Sequence, residues 1–391
     1  MKRRVTVEID LKALVRNYRK IAAHVKPAKV LCVLKANAYG LGVGAYAQAL
    51  AKAGCSLFGV AEPYEALELR RALSSPVSRL SSLSSSRVLR LSSSPDIQIL
   101  SSILPDEIPE MVKAGVILPV IDVPTAKLIS AAAVKAKTVA RVHFKLDTGM
   151  GRLGILAKDA LAVMREVKKL PNLDCEGVFS HFPMAYDPKN PFTKRQIKLF
   201  KEIVEAAARE GFQFKKVHIA ASDAINNFPE TARKPFTVVR TGINLHGSFD
   251  PNGLKALKVE PVLTLKTRVA QVRELPAGTT LGYGRTWCLN APTRVATISA
   301  GYADGLPLAL TNRGFVFIGG KRCPIIGRIS MDYTTVDVSA VKNVKPGDEV
   351  ICFGRCGKDS ITPDDWASLK GTHAYDIICS LGNRVQRIVR G

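Results

Sequence analysis

The sequence has no long apolar run. None of its hydrophobic stretches approaches the ~20 residues of a membrane-spanning helix, although hydrophobic residues make up 47% of the 391. Export through a secretory leader is not expected either. The opening MKRRVTVEIDLKAL starts basic, but Glu8 and Asp10 interrupt it before an apolar core can build. A second cysteine pair is absent too. The eight cysteines are scattered, and only Cys352 and Cys356 lie close, so no zinc site is completed and no metal is expected. Scattered thiols, several of them inside apolar runs, fit a reduced cytoplasmic protein.

Acid is in short supply. Asp and Glu number 33 against 57 Lys and Arg, which leaves a net charge of +24. Such a surface attracts nucleic acid, anionic membrane or anionic metabolites. The basic residues are spread along the whole chain, however, and no nucleic-acid module accompanies them. They read as a generally basic surface. One region lacks variety altogether: residues 74–102 are nearly half serine. This composition reads as an irregular solvated loop that carries no chemistry and stays clear of the site residues named below.

What is present is an alternation. Asp10 has the form of a helix N-cap, and Leu11, Leu14, Val15, Tyr18 and Ile21 follow at helical spacing. Eight short apolar runs come next, each followed by a helical stretch: KVLCVLK, SLFGVA, IQIL, ILPVID, VARVHFKLD, CEGVFSHF, KVHIAAS and TVVRTGINLHG. Continuous apolar strands alternating with helices imply a parallel sheet covered on both faces. Eight units predict an α/β fold, a closed (β/α)8 barrel over residues 9–247, with an open doubly wound sheet as the alternative. After Asp250 the runs are short, β-rich and broken by Gly, Pro and Asp. Residues 248–391 therefore read as a mostly β domain. Helices are expected at Thr362 to Lys370 and Ala374 to Leu381. The strand RRVTVEI is expected to join this second domain.

In a barrel the active site lies at the C-terminal strand ends. Those ends carry Lys35, Lys145 with Asp147, His181, Ser222, and Arg240 with Gly242. A lysine delivered by an apolar strand serves as a point charge for phosphate or as an amine nucleophile. The second use suits pyridoxal phosphate, which also needs a phosphate cradle. Barrels build one after strands seven and eight, where Ser222 and Gly242 fall. The stretch GMGRLG at residues 149–154 is a literal GxGxxG. It has no acid at the end of the next strand, so a dinucleotide site is not expected.

These motifs together resemble the alanine racemases. VLKANAYGLG resembles that family's cofactor-lysine motif. KLDTGMGRLG, SHF, VRTGINLHG, LGYGRTW, GYADG, GRISMD and AYDIICSLGNRVQR resemble further segments in the same order. The resemblance implies a fold type III pyridoxal phosphate enzyme, a homodimer that racemises alanine to supply D-alanine for peptidoglycan. Lys35 would hold the cofactor and Tyr283 would be the second base. Tyr39, Ser222, Gly242, Ile243 and Tyr375 would cradle the phosphate. Arg240 would face the pyridine nitrogen, His181 would lie against the ring, and Arg152 would bond the phenolic oxygen. Lys145 would be carbamylated and position Arg152. Met331 and Asp332 would line the entrance and bind the substrate carboxylate, and Tyr302 would narrow it.

Two positions depart from the family pattern. Ala221 stands where an asparagine is frequent, and His246 where a tyrosine is common. The alternatives are a serine or broad-range racemase, a decarboxylase of the same fold, and a non-catalytic cofactor or nucleic-acid binder. Retention of the second-base domain argues against a simple cofactor carrier.

Overall fold

Asp10 starts the first helix as its sequence position requires. In the computed structural model of the chain, which describes residues 3–74 and 94–391, its carboxylate accepts the Ala13 N–H at 2.9 Å. The helix Leu11–His24 buries Leu14, Asn17, Tyr18 and Ile21, while Val15 is only half-buried. Asn17 takes an inner position because its amide is fully used. It donates to the carbonyls of Leu245 and Glu260 and accepts the Glu260 N–H.

After strand β1, Thr6–Asp10, the apolar runs become parallel strands: β2 Lys29–Val33, β3 Leu57–Val60, β4 Asp96–Ile99, β5 Leu118–Val120 and β6 Ala140–Asp147. A two-residue β7, Ile155–Leu156, leans on β6. Then come β8 Leu173–Phe179, β9 Lys216–His218 and β10 Val238–Thr241. They pair in two arcs, β10-β2-β3-β4 and β5-β6-β8-β9. Two seams close them. Ile99 and Ile117 bond across β4 and β5 (Ile99 N–H to the Ile117 carbonyl, 3.0 Å), and the Thr237 N–H reaches the Val217 carbonyl at 2.9 Å beside β9 and β10. The eight strands make a barrel, not an open sheet.

The barrel interior is polar at its floor. Arg141, Asp96, Lys216 and Glu176 form a chain of ion pairs: Arg141–Asp96 2.6 Å, Lys216–Asp96 3.2 Å and Lys216–Glu176 2.7 Å. Above them Glu176 lies 3.4 Å from His143 Nε2, and His143 Nδ1 lies 3.4 Å from His218 Nε2. Gly177 is required here, because a Cβ would stand 2.5 Å from the His143 ring. Phe179 stacks on His218 with centroids 5.0 Å apart.

The second domain is built on β11 Leu263–Leu275, with β12 Thr280–Leu281, β13 Trp287–Cys288, β14 Thr293–Ile298, β15 Phe315–Ile318, β16 Lys321–Pro324, β17 Thr334–Asp337, β18 Glu349–Cys356, β19 Asp359–Ile361 and β20 Gln386–Arg390. Its main sheet runs β16-β15-β18-β11-β1-β20. The first strand of the chain therefore lies in this sheet, antiparallel to β11 and parallel to β20. Helix Pro363–Lys370 starts on the Thr362 cap. Helix Ala374–Cys379 stops two residues short of the expected Leu381, because the Leu381 and Gly382 carbonyls turn to Arg387, 2.7 Å away in each case. No described helix is long and apolar enough to cross a membrane.

Of the serine-rich stretch, residues 75–93 lie outside the described residues. Its far end does not stay clear of the site. The Leu100 and Ser101 carbonyls accept the Lys145 ammonium at 2.6 and 3.2 Å.

Candidate active site

Strand β2 ends when the Leu34 N–H bonds Gly59 of β3 at 2.8 Å, and Lys35 emerges exposed at the C-terminal rim. The next four residues do something the sequence does not announce. Ala36, Asn37, Ala38 and Tyr39 all adopt left-handed helical dihedrals, with φ between 52° and 60°. Outside Gly and Asn each such residue costs roughly 1–2 kcal/mol, so Ala36, Ala38 and Tyr39 together store on the order of 3–6 kcal/mol. Its effect is to send Lys35 to the rim and to bury Tyr39 beneath it.

Tyr39 lies in a nest of donors. Its hydroxyl packs against Gly242, where any Cβ would collide with it, and its ring lies 5.4 Å from Tyr375. The Gly242 N–H donates to Ser222 Oγ at 3.0 Å, and the Tyr375 hydroxyl lies beside Ser222 and the Ile243 N–H. Burial pushes both tyrosines above their ordinary range, so they stay protonated and can donate. Hydroxyl and amide donors around a close backbone approach are what a phosphate dianion needs. Ser222, expected at the end of strand seven, instead opens the helix Ser222–Asn227. His246 lies under the nest, its ring 5.1 Å from Tyr39 and its Nδ1 3.2 Å from the Tyr46 hydroxyl.

Arg240, on β10, is buried across the rim. It donates to the Ser180 and Ile219 carbonyls at 2.7 and 2.8 Å and to His218 Nδ1 at 2.7 Å. Burial lowers it to about 9, which still leaves it charged at neutral pH. The bond to His218 fixes that ring's proton on Nε2, facing His143, and the order continues to Glu176. Arg240 also reaches His181 Nδ1 at 3.3 Å. His181 is lowered to about 3 by burial and then by Arg240, Arg152, Lys35 and Lys145. It is therefore a neutral imidazole, and the four cations that keep it so share one rim. Lys145, on β6, is lowered to about 8 by burial and then by Arg152 and Arg240.

The glycine-rich loop is no dinucleotide site. Asp147 accepts the N–H groups of Gly149, Met150, Gly151 and Arg152 within 2.8–3.2 Å. An internal carboxylate thus fills the place a phosphate would take, and holds Arg152 at the rim.

The second-domain residues stand apart from this buried set. Tyr283 follows β12 and is 73% exposed; Met331 is 52% and Tyr302 43% exposed. Asp332 is bound to Arg384 at 2.7 Å, which also holds the buried Asp304 at 2.7 and 2.9 Å. Sequence reasoning missed Arg384, Glu176 and His143. The alternation Arg141, His143, Lys145 along β6 was the available signal for the histidine.

The family model "Alanine racemase, N-terminal domain" matches residues 9–250, and "Alanine racemase, C-terminal domain" matches residues 262–389. The alanine racemase of Halothermothrix orenii is 34% identical to this chain, covering 99% of it and 98% of the relative. That of Desulforamulus reducens is 35% identical, covering 100% of both. The crystal structure of alanine racemase from D-cycloserine producing Streptomyces lavendulae superposes with a TM-score of 0.89 at 32% identity, over 100% of this chain and 98% of that one. The Bartonella henselae alanine racemase, solved with covalently bound pyridoxal phosphate, gives 0.85 at 29% identity over 100% of both chains.

Proposed function

The chain belongs to the alanine racemase family, and from that premise we propose how its residues share the work of interconverting L- and D-alanine. The enzyme is a pyridoxal phosphate-dependent alanine racemase. When bound, the cofactor draws electrons from the substrate α-carbon and loosens its proton. Lys35 would hold it, and Tyr39, Ser222, Gly242, Ile243 and Tyr375 would grip its phosphate. Arg240 would face the pyridine nitrogen. Its bonds to Ser180, Ile219 and His218 keep the guanidinium protonated, so it would offer that nitrogen no proton to take over, and side reactions would be restrained. Neutral His181 would lie against the ring, and Arg152 would bond the phenolic oxygen. Lys145, at about 8, is neutral often enough to take up carbon dioxide as a carbamate that orients Arg152.

Racemisation needs a base on each face of the α-carbon. The amine of Lys35 takes or returns the proton on one face, and the hydroxyl of Tyr283 does so on the other. A carboxylate cannot attract a carboxylate, and that of Asp332 is spent on Arg384. The substrate carboxylate therefore falls to the backbone N–H groups of Met331 and Asp332, with Tyr302 narrowing the entrance. The exposure of Tyr283 supports a head-to-tail dimer in which the tyrosine serves the partner's Lys35. We take residues 9–247 as the barrel domain and residues 248–391, with the first strand, as the second. The proposed setting is the cytoplasm, and the proposed role is supply of D-alanine for peptidoglycan.

The observation that carries this reading is the gathering of Lys35, Lys145, Arg152, His181 and Arg240 beside a phosphate-type donor nest. Borohydride reduction of the holoenzyme, followed by peptide mapping, tests it. The label is expected on Lys35, and Lys35→Ala is expected to lose both the label and alanine racemisation. Full activity in that variant overturns the assignment. Initial rates with alanine, serine, lysine and arginine fix the substrate range.

A further inference from the structure

The left-handed turn from Lys35 to Gly40 has both ends held by charged side chains from elsewhere in the fold. Leu34 offers no side-chain cap. Instead the Ala36 N–H, next to Lys35, donates to Glu65 Oε1. The other oxygen of Glu65 accepts the N–H groups of Ala61 at 2.8 Å and Glu62 at 3.1 Å. One carboxylate thus ties the lysine turn to the loop after β3 and to the helix Pro63–Ser74. At the far end Arg387 Nε donates to the Gly40 carbonyl at 2.9 Å. The remaining nitrogens of Arg387 hold the Gly382, Val385 and Leu381 carbonyls at 2.7 Å each.

The signs suit the ends. A carboxylate meets unpaired N–H groups, and a guanidinium meets an unpaired carbonyl. Inside the turn the backbone closes bonds of its own, from the Ala38 N–H to the Leu34 carbonyl at 2.9 Å and from the Leu41 N–H to the Asn37 carbonyl at 3.1 Å, but among its side chains only Asn37 contributes, accepting the Val43 N–H at 2.7 Å. Three of the four left-handed residues have no side chain that favours this conformation. Glu65 and Arg387 add to those backbone bonds from outside the turn.

We propose that Glu65 and Arg387 are positioning residues that clamp the left-handed turn and so aim Lys35 at the rim and Tyr39 at the donor nest. The clamp rests on the reading of Lys35 as the cofactor lysine. Glu65 and Arg387 touch no reacting atom in this scheme. They fix the angle at which the lysine leaves β2, and Arg387 does so from the second domain.

The test uses Glu65→Ala, Glu65→Gln and Arg387→Lys in the full-length protein. Glutamine keeps the shape but has one oxygen, so it serves either Ala36 or the helix start. Lysine keeps the charge but cannot reach four carbonyls. Hydrogen exchange of segment 34–42 is measured first, in the cofactor-free protein. Faster exchange in all three variants, with the rest of the barrel unchanged, is expected. In the holoenzyme, kcat is expected to fall about tenfold or more in Glu65→Ala, with the KM for alanine changed far less. The circular dichroism of the cofactor band should change with it, and Glu65→Gln should recover part of both. Parental exchange and a parental cofactor signal in Glu65→Ala and Arg387→Lys overturn the clamp. So does an activity loss that tracks only a lowered melting temperature. Borohydride labelling of the parent at another lysine sinks the cofactor reading instead, while the exchange result still decides whether the clamp exists.

Discussion

The ammonium of Lys145 sits among like charges. Burial, Arg152, Arg240 and Lys35 bring it from 10.5 to about 8, and Asp147, the nearby acid, already accepts four N–H groups. Below about pH 8 the folded protein bears the whole penalty. Between about 8 and 10.5 the unfolded chain holds a proton the folded one lacks, so stability rises with pH through that window. Lys145→Met should therefore be more stable than the parent by on the order of 2 kcal/mol below pH 8 in carbon dioxide-free buffer. The advantage should vanish by about pH 10.5, and racemase activity should drop. Urea unfolding at several pH values reads this directly; a variant no more stable at pH 7 refutes it. A stabilising substitution that costs activity marks a residue kept for function.

At the scale of strands, the barrel floor is where the fold stores its acid sensitivity. Burial alone would raise Glu176, but the facing His143 ring at 3.4 Å and the Lys216 ammonium, bonded at 2.7 Å, outweigh it and hold the carboxyl at about 2. A depressed carboxyl stabilises the fold above its ordinary value of 4.5, and that contribution is lost as pH falls toward 2. Glu176→Gln should cost on the order of 3 kcal/mol at pH 7 and almost nothing near pH 2. Its acid limb in thermal unfolding should be flatter than the parent's; parallel limbs would show that Glu176 carries no linkage. The sequence made β8 legible as an apolar run but not this acid's purpose. CEGVFSHF shows one glutamate without a partner, and its partners arrive only when β6 and β9 lie alongside. The turn after β2 was illegible for another reason. Lys-Ala-Asn-Ala favours ordinary right-handed helix, and the forces that reverse its hand come from residues 65 and 387. The lysine could be picked out because an apolar strand ending on a charge is a chemical signal. The conformation that aims it is a property of contacts distant in sequence.

Across the whole molecule, the two proposed bases, both exposed, belong to different domains. If each Tyr283 serves the partner's Lys35, inactive Lys35→Ala and inactive Tyr283→Phe proteins should rescue one another. Random exchange makes half the dimers mixed, and each mixed dimer has one intact site, so activity should return to about a quarter of the parent's. No recovery after proven subunit exchange would place Tyr283 in its own chain's site. The two-domain plan could be read from the change of texture after Asp250, and the second domain's claim on RRVTVEI from the late start of the first helix. The contacts that lock the halves, such as Asn17 with Glu260 and Arg387 with Gly40, could not, because each is an ordinary polar residue until its partner is in place.

The last of these pairs has a temporal side. Gly40 leaves the ribosome 347 residues before Arg387. At about 5–20 residues per second, that is a delay of roughly 20–70 s. Throughout it the turn bearing Lys35 has Glu65 at one end and nothing from the second domain at the other. Strand β1, made first, likewise waits for β20, its parallel neighbour. The turn that bears Lys35 is thus completed only once the second domain has been made, and firm capture of the cofactor waits for that domain.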